Sequence, residues 1–334
     1  MIYHTSKLET FTPSSLTAHM AVSSARRKAI LVIGATGKQG GATVEALIEA
    51  NATSSHQVLA LTRNRESSSA KRLEVAGVKI VQGDLNDVPA VFREAKKAFG
   101  GFEPHIWGVF SVQTFMGKGA SIELEELQGK ALVDGALANG VQHFVYASVD
   151  RGGAKSYENP TSVPHFRSKH NIEHHLVEKS KGKMSWTILR PVFFMDNIAS
   201  DFGSKATATF WKIGLKTKPL QLVAVKDIGW FAAQSFLRPA EFASREISIA
   251  GDSLSHREAN EIFRRKAGRD LPGIPNLLGR LLLRVAGDFG KMFNWFSEEG
   301  YGADVAALKM EHPGLLTWSN WLDDEGRRLV VQQP

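Results

Sequence analysis

Residues Ala29–Asn51 read AILVIGATGKQGGATVEALIEAN and contain three successive signals. The apolar run Ala29–Ile33 is rich in β-branched residues and has the length of a buried parallel strand. Gly34, Gly37 and Gly40 follow and indicate a tight turn, because glycine adopts backbone conformations that other residues avoid. Apolar residues at helical spacing come next. The sequence therefore predicts a strand, a glycine-rich turn and a helix in direct succession.

A strand, a glycine turn and a helix in this order form a cradle for phosphate groups. Glycines let the backbone approach a pyrophosphate closely, and the helix N-terminus presents free N–H groups at the positive end of its dipole. The placement between strand and helix is a stronger signal than a glycine pattern alone, with an ordinary βα turn as the alternative. The residues expected to contact a bound dinucleotide here are Gly34, Thr36, Gly37, Lys38, Gln39 and Gly40.

Strands and helices alternate through the first 190 residues. The predicted strands after the first are Gln57–Thr62, Val78–Val81, Ile106–Val112, Gln142–Ser148 and Ser185–Leu189. The predicted helices between them include Pro89–Ala98, Ile122–Asn139 and Arg167–Lys179. Such alternation is typical of a parallel sheet covered by helices on both faces. The expected fold class is therefore α/β, a Rossmann-type doubly wound parallel sheet.

The pattern changes after Pro191, where aromatic residues, prolines and helical segments dominate. We expect a dinucleotide-binding domain at 29–190 and a smaller, mostly helical substrate-side region at 191–334. The apolar segment at 247–250 is expected to return as a strand of the main sheet, so that the two regions interleave. Residues 1–28 are rich in Ser and Thr and poor in acids, which favours a disordered tail over a transit peptide. A start at Met20 is a further alternative.

The composition is that of a globular protein with room for a substantial core. The chain has 334 residues, of which 43% are hydrophobic and 22% charged, and a net charge of +7. It contains no cysteine, which excludes disulfides, thiolate nucleophiles and cysteine metal sites. No apolar run reaches the roughly 18 residues of a membrane span, and no recognition motif indicates nucleic-acid binding. We expect a cytoplasmic protein, with the nucleus as an alternative, and neither a membrane nor a nucleic-acid partner.

The turn after the second predicted strand favours NADP(H) over NAD(H). Dinucleotide-binding folds that prefer NAD usually place an acid there to hold the ribose 2′-hydroxyl. Here the strand ends in Thr62-Arg63-Asn64-Arg65, and no acid appears before Glu66. An arginine binds a 2′-phosphate through charge-assisted hydrogen bonds, whereas a carboxylate repels it. Arg63 is the main predicted contact, with Asn64 or Arg65 assisting, and a solvated basic turn is the alternative.

The glycine spacing G-x-x-G-x-x-G resembles that of the short-chain dehydrogenase/reductase superfamily, in its extended and atypical branches. The segment GATGKQG is more similar still to the NmrA-like family, and so are LRPVFFMDN at 189–197 and HPGLLTWSNWL at 312–322. The resemblance extends over about residues 28–322. It implies NADP(H) as the cofactor, and either reductase activity in specialised metabolism or redox-sensing regulation without obvious turnover.

The resemblance also implies roles for residues at the ends of later strands. Asp84 is expected to meet the adenine amino group and Leu85 to pack on the ring, although Asp84 is an equally good helix cap. Gln113 follows the fourth predicted strand, at the sheet edge that faces the cofactor. Ser148 resembles the superfamily's substrate-orienting serine, with a plain strand-end residue as the alternative.

The catalytic motif departs from the superfamily's usual pattern. Short-chain dehydrogenases usually carry Tyr-x-x-x-Lys at the start of a helix, where the Tyr transfers a proton and the Lys holds the nicotinamide ribose. Here Lys169 is present, but His165 replaces the Tyr. The two side chains share a helix face, and histidine is a competent proton donor near neutral pH. Both are therefore candidate catalytic residues. His170 and His174 have the spacing of a zinc helix, but no third ligand is apparent and no metal site is expected.

Two functions follow from these residues. The first is an NADP(H)-dependent oxidoreductase that transfers a hydride to a small apolar carbonyl or conjugated substrate. The second is a non-catalytic NADP(H)-binding redox sensor, or transcriptional regulator, that acts through a protein partner. The replaced tyrosine favours the sensor, while the largely intact cofactor site favours the oxidoreductase. The oxidoreductase is preferred on the strength of the resemblance, because the same scaffold serves both functions.

Overall fold

The computed structural model describes residues 27–100, 105–117 and 119–331. Its strands are β1 (Lys28–Val32), β2 (His56–Thr62), β3 (Lys79–Gln82), β4 (Ile106–Ser111), β5 (His143–Ala147), β6 (Ser185–Pro191), β7 (Phe193–Phe194), β8 (Leu220–Val223), β9 (Arg245–Ile249) and β10 (Asp252–Leu254). Its helices are α1 (Lys38–Glu49), α2 (Ser68–Val75), α3 (Val88–Phe99), α4 (Ile122–Ala138), α5 (Pro164–Ser180), α6 (Phe202–Leu215), α7 (Val225–Leu237), α8 (Pro239–Phe242), α9 (His256–Ala267), α10 (Asn276–Val285), α11 (Asp288–Glu298), α12 (Val305–Glu311), α13 (Trp318–Asp323) and α14 (Arg327–Val331).

The main sheet holds seven strands in the order β3-β2-β1-β4-β5-β6-β9. Every neighbouring pair in it is parallel. The chain moves outward from β1 to β3 and then resumes at β4 on the other side of β1, so the strand order reverses between β1 and β4. Ligands of such sheets bind beyond the carboxyl ends of the strands at this reversal. The predicted Rossmann-type doubly wound parallel sheet is confirmed.

Helices cover both faces of this sheet, which explains why β1 is apolar at consecutive positions. Ile30 and Val32 belong to an apolar core that includes buried residues of α1 and α7. Leu31 and Ile33 belong to a second core on the opposite face, which includes buried residues of α3, α4 and α5. Because side chains alternate along β1, this one strand packs against the helices on both faces of the sheet.

The later part of the chain supplies most of a third core, to which Val149, Val163 and Phe166 also belong. Large aromatic side chains from α6, α9, α11 and α13 fill it, among them Trp211, Phe263, Trp295 and Trp318. A three-stranded sheet, in the order β10-β8-β7, borders this core. Strand β9 pairs in parallel with β6 at the edge of the main sheet. The later residues thus contribute both to the main sheet and to a separate helical layer.

Some predicted boundaries are wrong, and the causes are local. Helix α5 begins at Pro164, three residues before the predicted start, because proline is well accommodated in the first helical turn. Strand β1 begins at Lys28, which was expected in the tail; residues 1–26 of that tail lie outside the described residues. The sequence prediction also omits α2 and the small sheet. The strands of that sheet have only two to four residues and are too short to show a period. Of the helices in the described ranges, none combines the length and hydropathy needed to cross a membrane.

Gly40 marks the point where α1 passes closest to the glycine turn. A Cβ atom added there would lie 2.2 Å from the Gly34 carbonyl oxygen and 2.8 Å from the Ala35 backbone nitrogen. We expect Gly40→Ala to lower the free energy of unfolding by about 2 kcal/mol or more, because backbone atoms would have to move.

The matched control is Gly41→Ala, since the nearest atom to a Cβ there is 3.5 Å away. This variant should be neutral, or stabilising by up to ~1 kcal/mol through helix propensity. Urea unfolding measures both variants. Equal stability of the two would contradict the claim that the close contact at Gly40 constrains α1.

Candidate active site

The glycine turn presents backbone donors at the carboxyl edge of the sheet. Gly34 has a φ of +65°, a conformation that favours glycine. The N–H of Gly37 donates to the Gly34 carbonyl over 2.9 Å. Gly37 is also the N-cap of α1, where no side chain caps the helix and the first turn holds no acid. Thr36, Gly37 and Lys38 are exposed. The N-terminus of α1 is therefore open to an anion.

Two side chains of the first turn of α1 have different surroundings. The Lys38 ammonium donates to the Asp196 carbonyl over 2.8 Å and to Oδ1 of Asn197 over 3.1 Å. It thereby links the glycine turn to the segment that follows β7. The Gln39 side chain places Oε1 in a buried position where the described residues offer it no hydrogen-bond partner.

The basic turn after β2 leaves Arg63 exposed at the same edge. The structure records no ion pair for Arg63 among the described residues. Arg65 instead pairs with Glu74 over 3.3 Å, and Glu66 pairs with Lys71 over 2.9 Å. Glu66, the first acid after β2, is therefore paired with a nearby lysine, while Arg63 and Asn64 are exposed at the turn.

Asp84 and Leu85 follow β3, the next strand outward. Oδ1 of Asp84 accepts the backbone N–H of Asn86 over 2.8 Å, so this carboxylate caps the short 3₁₀ turn after the strand. Both Asp84 and Leu85 are half-buried. Capping is thus the observed role of Asp84, and the contact with adenine stays a prediction for both residues.

Lys169 lies on α5 and is anchored by a buried carboxylate of α4. Its Nζ is 2.8 Å from Oε1 of Glu125, whose side chain is 0% exposed, while the Lys169 side chain is 13% exposed. The Ser168 hydroxyl donates to the other oxygen, Oε2. Both carboxylate oxygens of Glu125 are therefore hydrogen-bonded from α5.

His165 is one helical turn before Lys169, in a mostly apolar setting. Its ring stacks on Phe115 with centroids 4.4 Å apart and meets the edge of Phe166 at 4.8 Å. Nδ1 is buried and has no hydrogen-bond partner among the described residues. Burial, followed by the nearby charge of Lys169, lowers the pKa of His165 to about 4. The imidazole is therefore neutral at pH 7.

A buried charge network lies behind Ser148. The Ser148 hydroxyl donates to Oε1 of Glu173. Glu173 also binds Arg151 over 2.8 Å and Arg190 over 2.6 Å, and all three charged side chains are almost fully buried. Burial alone raises the pKa of Glu173, but the two guanidinium groups outweigh it and hold the pKa below its usual value. Ser148 is thus part of a structural network as well as a residue of the cavity described next.

A cavity of about 660 Å³ brings most of the predicted site residues together. Its lining includes the glycine turn, Gln113, and four of the residues described above, Glu125, Ser148, His165 and Lys169. Much of the remaining wall is apolar: Val112, Phe115, Met116, Phe166, Phe193, Phe194, Phe289 and Met292. Thr36, Arg63, Asn64, Asp84 and Leu85 are not among its lining residues and lie outside it on the loops around the carboxyl edge. A second, larger groove of about 1070 Å³ follows α1 and α7 and shares Gly37, Lys38 and Asp201 with the cavity.

The clustered histidines of α5 have other partners. Nε2 of His174 lies 2.8 Å from the Tyr157 carbonyl, and its ring is 4.3 Å from that of His170. His175 pairs with Asp134 over 2.8 Å. Among the described residues, no group of three His, Asp or Glu side chains has the arrangement of a metal site.

A family model of the NmrA-like family matches residues 26–322. The chain belongs to the NmrA-like family. Among its relatives, the NmrA-like oxidoreductase cpsB of Aspergillus campestris is 26% identical, with 94% of this chain and 98% of that protein aligned. The NmrA-like oxidoreductase himF of Aspergillus japonicus is 30% identical over 68% of this chain and 69% of its own length.

Solved structures show the same fold at lower identity. The triphenylmethane reductase of Citrobacter sp., complexed with NADP(H), aligns with a TM-score of 0.67 at 18% identity, covering 88% of this chain and 99% of its own. The NADPH-dependent quinone oxidoreductase of Escherichia coli, complexed with NADPH, gives 0.66 at 18% identity, with coverages of 89% and 99%. The negative transcriptional regulator NmrA, in complex with NADP, gives 0.62 at 17% identity, with coverages of 90% and 98%.

Two buried carboxylates of this NmrA-like site, Glu125 and Glu173, were missed by the reasoning from sequence. A signal for Glu125 existed, because it lies on the same face of α4 as Gly129, Leu132 and Ala136, which are all buried. An acid on the apolar face of a helix needs a partner. The same kind of signal existed for Glu173, which shares a face of α5 with the buried residues Phe166, Leu176 and Ser180.

The neutral state of His165 predicts a pH dependence of stability. Its pKa is about 4 in the folded protein and about 6.5 in an unfolded chain. The unfolded state therefore binds more protons between these values, so stability is full above pH 6.5 and is lost as pH falls toward 4. Burial lowers the pKa of His143 and His256 to about 4 as well, so they add to this loss.

His165→Phe should reduce the loss of unfolding free energy between pH 7 and pH 4.5 by about 1–3 kcal/mol, since phenylalanine does not titrate. Denaturant unfolding at several pH values measures the effect. His105→Phe is the matched control, because His105 is exposed and its replacement should leave the pH dependence unchanged. If both variants lose as much unfolding free energy as the parent protein between pH 7 and pH 4.5, the fold does not hold His165 neutral.

Proposed function

We propose that this NmrA-like chain is an NADP(H)-dependent oxidoreductase that reduces a small, largely apolar carbonyl or conjugated compound, as in specialised metabolism. The observation that carries the proposal is the position of Lys169 in the wall of an apolar cavity that begins at the glycine turn. The relatives named oxidoreductases support it, as do the similar reductases whose structures contain NADP(H) or NADPH.

The residues at the carboxyl edge fit a phosphorylated dinucleotide. The N-terminus of α1 is uncapped by any side chain and carries no acid in its first turn. Oε1 of Gln39 and Oε1 of Gln113 are buried without a hydrogen-bond partner in the described chain. Buried polar atoms left unpaired are costly, so such atoms are expected to meet a ligand. A cofactor rich in hydroxyl and amide donors satisfies both.

We assign the parts of the cofactor to the loops in the order of the strands. The pyrophosphate would bind at the glycine turn and the N-terminus of α1, with Lys38 beside it. Arg63, with Asn64, would hold the 2′-phosphate. Asp84 and Leu85 would border the adenine, while Gln113 and Lys169 would hold the nicotinamide side.

Two residues of α5, Lys169 and His165, would have different roles in the reaction. When bound, NADPH supplies a hydride to a carbon of the substrate. The substrate then needs a proton, and we assign that proton to the ammonium of Lys169, which is replenished from solvent. His165 is neutral above about pH 4. It can therefore donate one N–H hydrogen bond to the substrate oxygen, while we assign the proton transfer to Lys169.

The wall of the cavity indicates the substrate class. Phe115, Phe193, Phe194 and Met292 supply apolar and aromatic surface, and polar residues from several elements interrupt it, among them Gln113, Lys169 and Ser204. Such a cavity suits a largely apolar compound whose polar groups the wall can orient. In such a setting the low local dielectric would strengthen the attraction between the Lys169 ammonium and a polar atom of the substrate.

A redox sensor is the second candidate. The observation that favours it is the replacement of the usual tyrosine by His165, which is stacked against Phe115 and not charged at pH 7. A sensor would bind the cofactor in the same way and dock a protein partner according to its redox state. It would show no hydride transfer to any small molecule.

Lys169→Met is the direct test of catalysis. Turnover of NADPH with a panel of quinones, enones and aldehydes should fall at least 100-fold, because the variant loses the proton donor and a cofactor contact. Lys179→Met is the matched control, since Lys179 lies exposed on the same helix and its loss should leave turnover unchanged. Tight NADPH binding with no turnover by the parent protein would favour the sensor.

Arg63→Glu tests the choice of cofactor. The affinity for NADPH should fall at least 30-fold, while that for NADH should change less than about threefold, because only NADPH carries the 2′-phosphate that the new carboxylate repels. Arg72→Glu makes the same change of charge on an exposed residue of α2 and should have little effect on either. Equal losses of NADPH and NADH affinity in Arg63→Glu would mean that Arg63 does not contact the 2′-phosphate.

A further inference from the structure

Glu125 is a carboxylate in the interior of the protein. It is 0% exposed and lies on the face of α4 that otherwise buries small and apolar residues. Burial of a charged group costs several kcal/mol unless hydrogen bonds and an opposite charge compensate it. Here Lys169 supplies the charge at 2.8 Å and the Ser168 hydroxyl supplies a second hydrogen bond. An apolar residue would satisfy the packing of α4 without either requirement.

The ion pair restricts where the Lys169 ammonium can lie. The ammonium has three N–H donors, and one of them binds Oε1 of Glu125. The structure records no other partner for it among the described residues, and Lys169 and Glu125 both line the cavity. A lysine on a flexible four-carbon stem is thereby held at one point of the cavity wall, with two donors left for ligands.

The neighbouring residue Glu126 shows what a purely structural contact between the same helices looks like. Its carboxylate binds the Asn171 side-chain amide over 2.9 Å and Lys130 of its own helix over 2.6 Å. Glu126 does not line the cavity, and its partners do not either. Two adjacent glutamates thus link α4 to α5, and one of them, Glu125, does so through a residue of the candidate active site.

We propose that Glu125 is a positioning residue for Lys169, and that Ser168 fixes the carboxylate that performs this task. This inference rests on the proposed function, since it assigns a task within the same site. Glu125 fixes the ammonium of Lys169 where the nicotinamide side of the cofactor and the substrate would meet it. A displacement of about 1 Å in such a group can reduce the rate about 100-fold.

Glu125→Gln keeps the shape of the side chain and removes the charge. We expect it to remain folded, to lower kcat 10- to 100-fold, and to change the KM for substrate less than threefold. Glu126→Gln is the matched control and should leave kcat unchanged. In a Lys169→Met background, Glu125→Gln should lower the residual turnover no further, because Glu125 acts through Lys169. A further tenfold loss in that background would overturn the positioning role.

The same variants test the inference if the protein has no turnover. Lys169→Met leaves the Glu125 carboxylate buried and unpaired, so its midpoint of thermal unfolding should fall by roughly 5 °C or more. Adding Glu125→Gln should restore at least half of that loss, and Glu126→Gln should restore none. Absence of turnover with this coupling intact would overturn the proposed function alone. Additive losses, with no restoration by Glu125→Gln, would overturn the pairing and the inference with it.

Discussion

Burial of the parallel sheet on both faces is the constraint on which the rest of the molecule depends. Because helices cover each face, the central strands of the sheet are almost entirely buried, and their ends are the main places open to solvent. The turns at the carboxyl edge therefore carry one set of candidate site residues: the glycine turn, Arg63, Asp84 and Gln113 follow β1, β2, β3 and β4 in order. The reversal of strand order between β1 and β4 opens the space in which a ligand can bind.

Two charged residues of helix α5, Lys169 and Glu173, form ion pairs with residues of other segments. Lys169 pairs with Glu125 on one side, and Glu173, one turn later, pairs with Arg151 and Arg190 on the other. Each of these ion pairs is buried and hydrogen-bonded, so removing one partner would leave an isolated charge. These pairs connect α5 to α4 and β6, and the same helix places His165 and Lys169 in the wall of the cavity.

Much of the fold and part of the site could be predicted from the sequence, and the reasons are physical. The β1–turn–α1 segment could be predicted because its strand, glycine turn and helix follow one another directly in the sequence. Each of the three has a recognisable local residue pattern. The pairing of Lys169 with Glu125 spans 44 residues, and no local pattern encodes it. The neutral state of His165 was also missed, because it depends on Phe115 and Phe166 packing around the ring. The small sheet escaped prediction because β7 has only two residues.

The proposed function requires one dinucleotide to extend along the carboxyl edge from Arg63 to Lys169. A crystal structure of the protein with NADP⁺ tests this arrangement most directly. We predict the pyrophosphate at the N-terminus of α1, the 2′-phosphate hydrogen-bonded to Arg63, and Nζ of Lys169 hydrogen-bonded to the nicotinamide ribose while it retains Glu125. A cofactor whose nicotinamide lies away from Lys169, or whose 2′-phosphate makes no contact with Arg63, would contradict this arrangement.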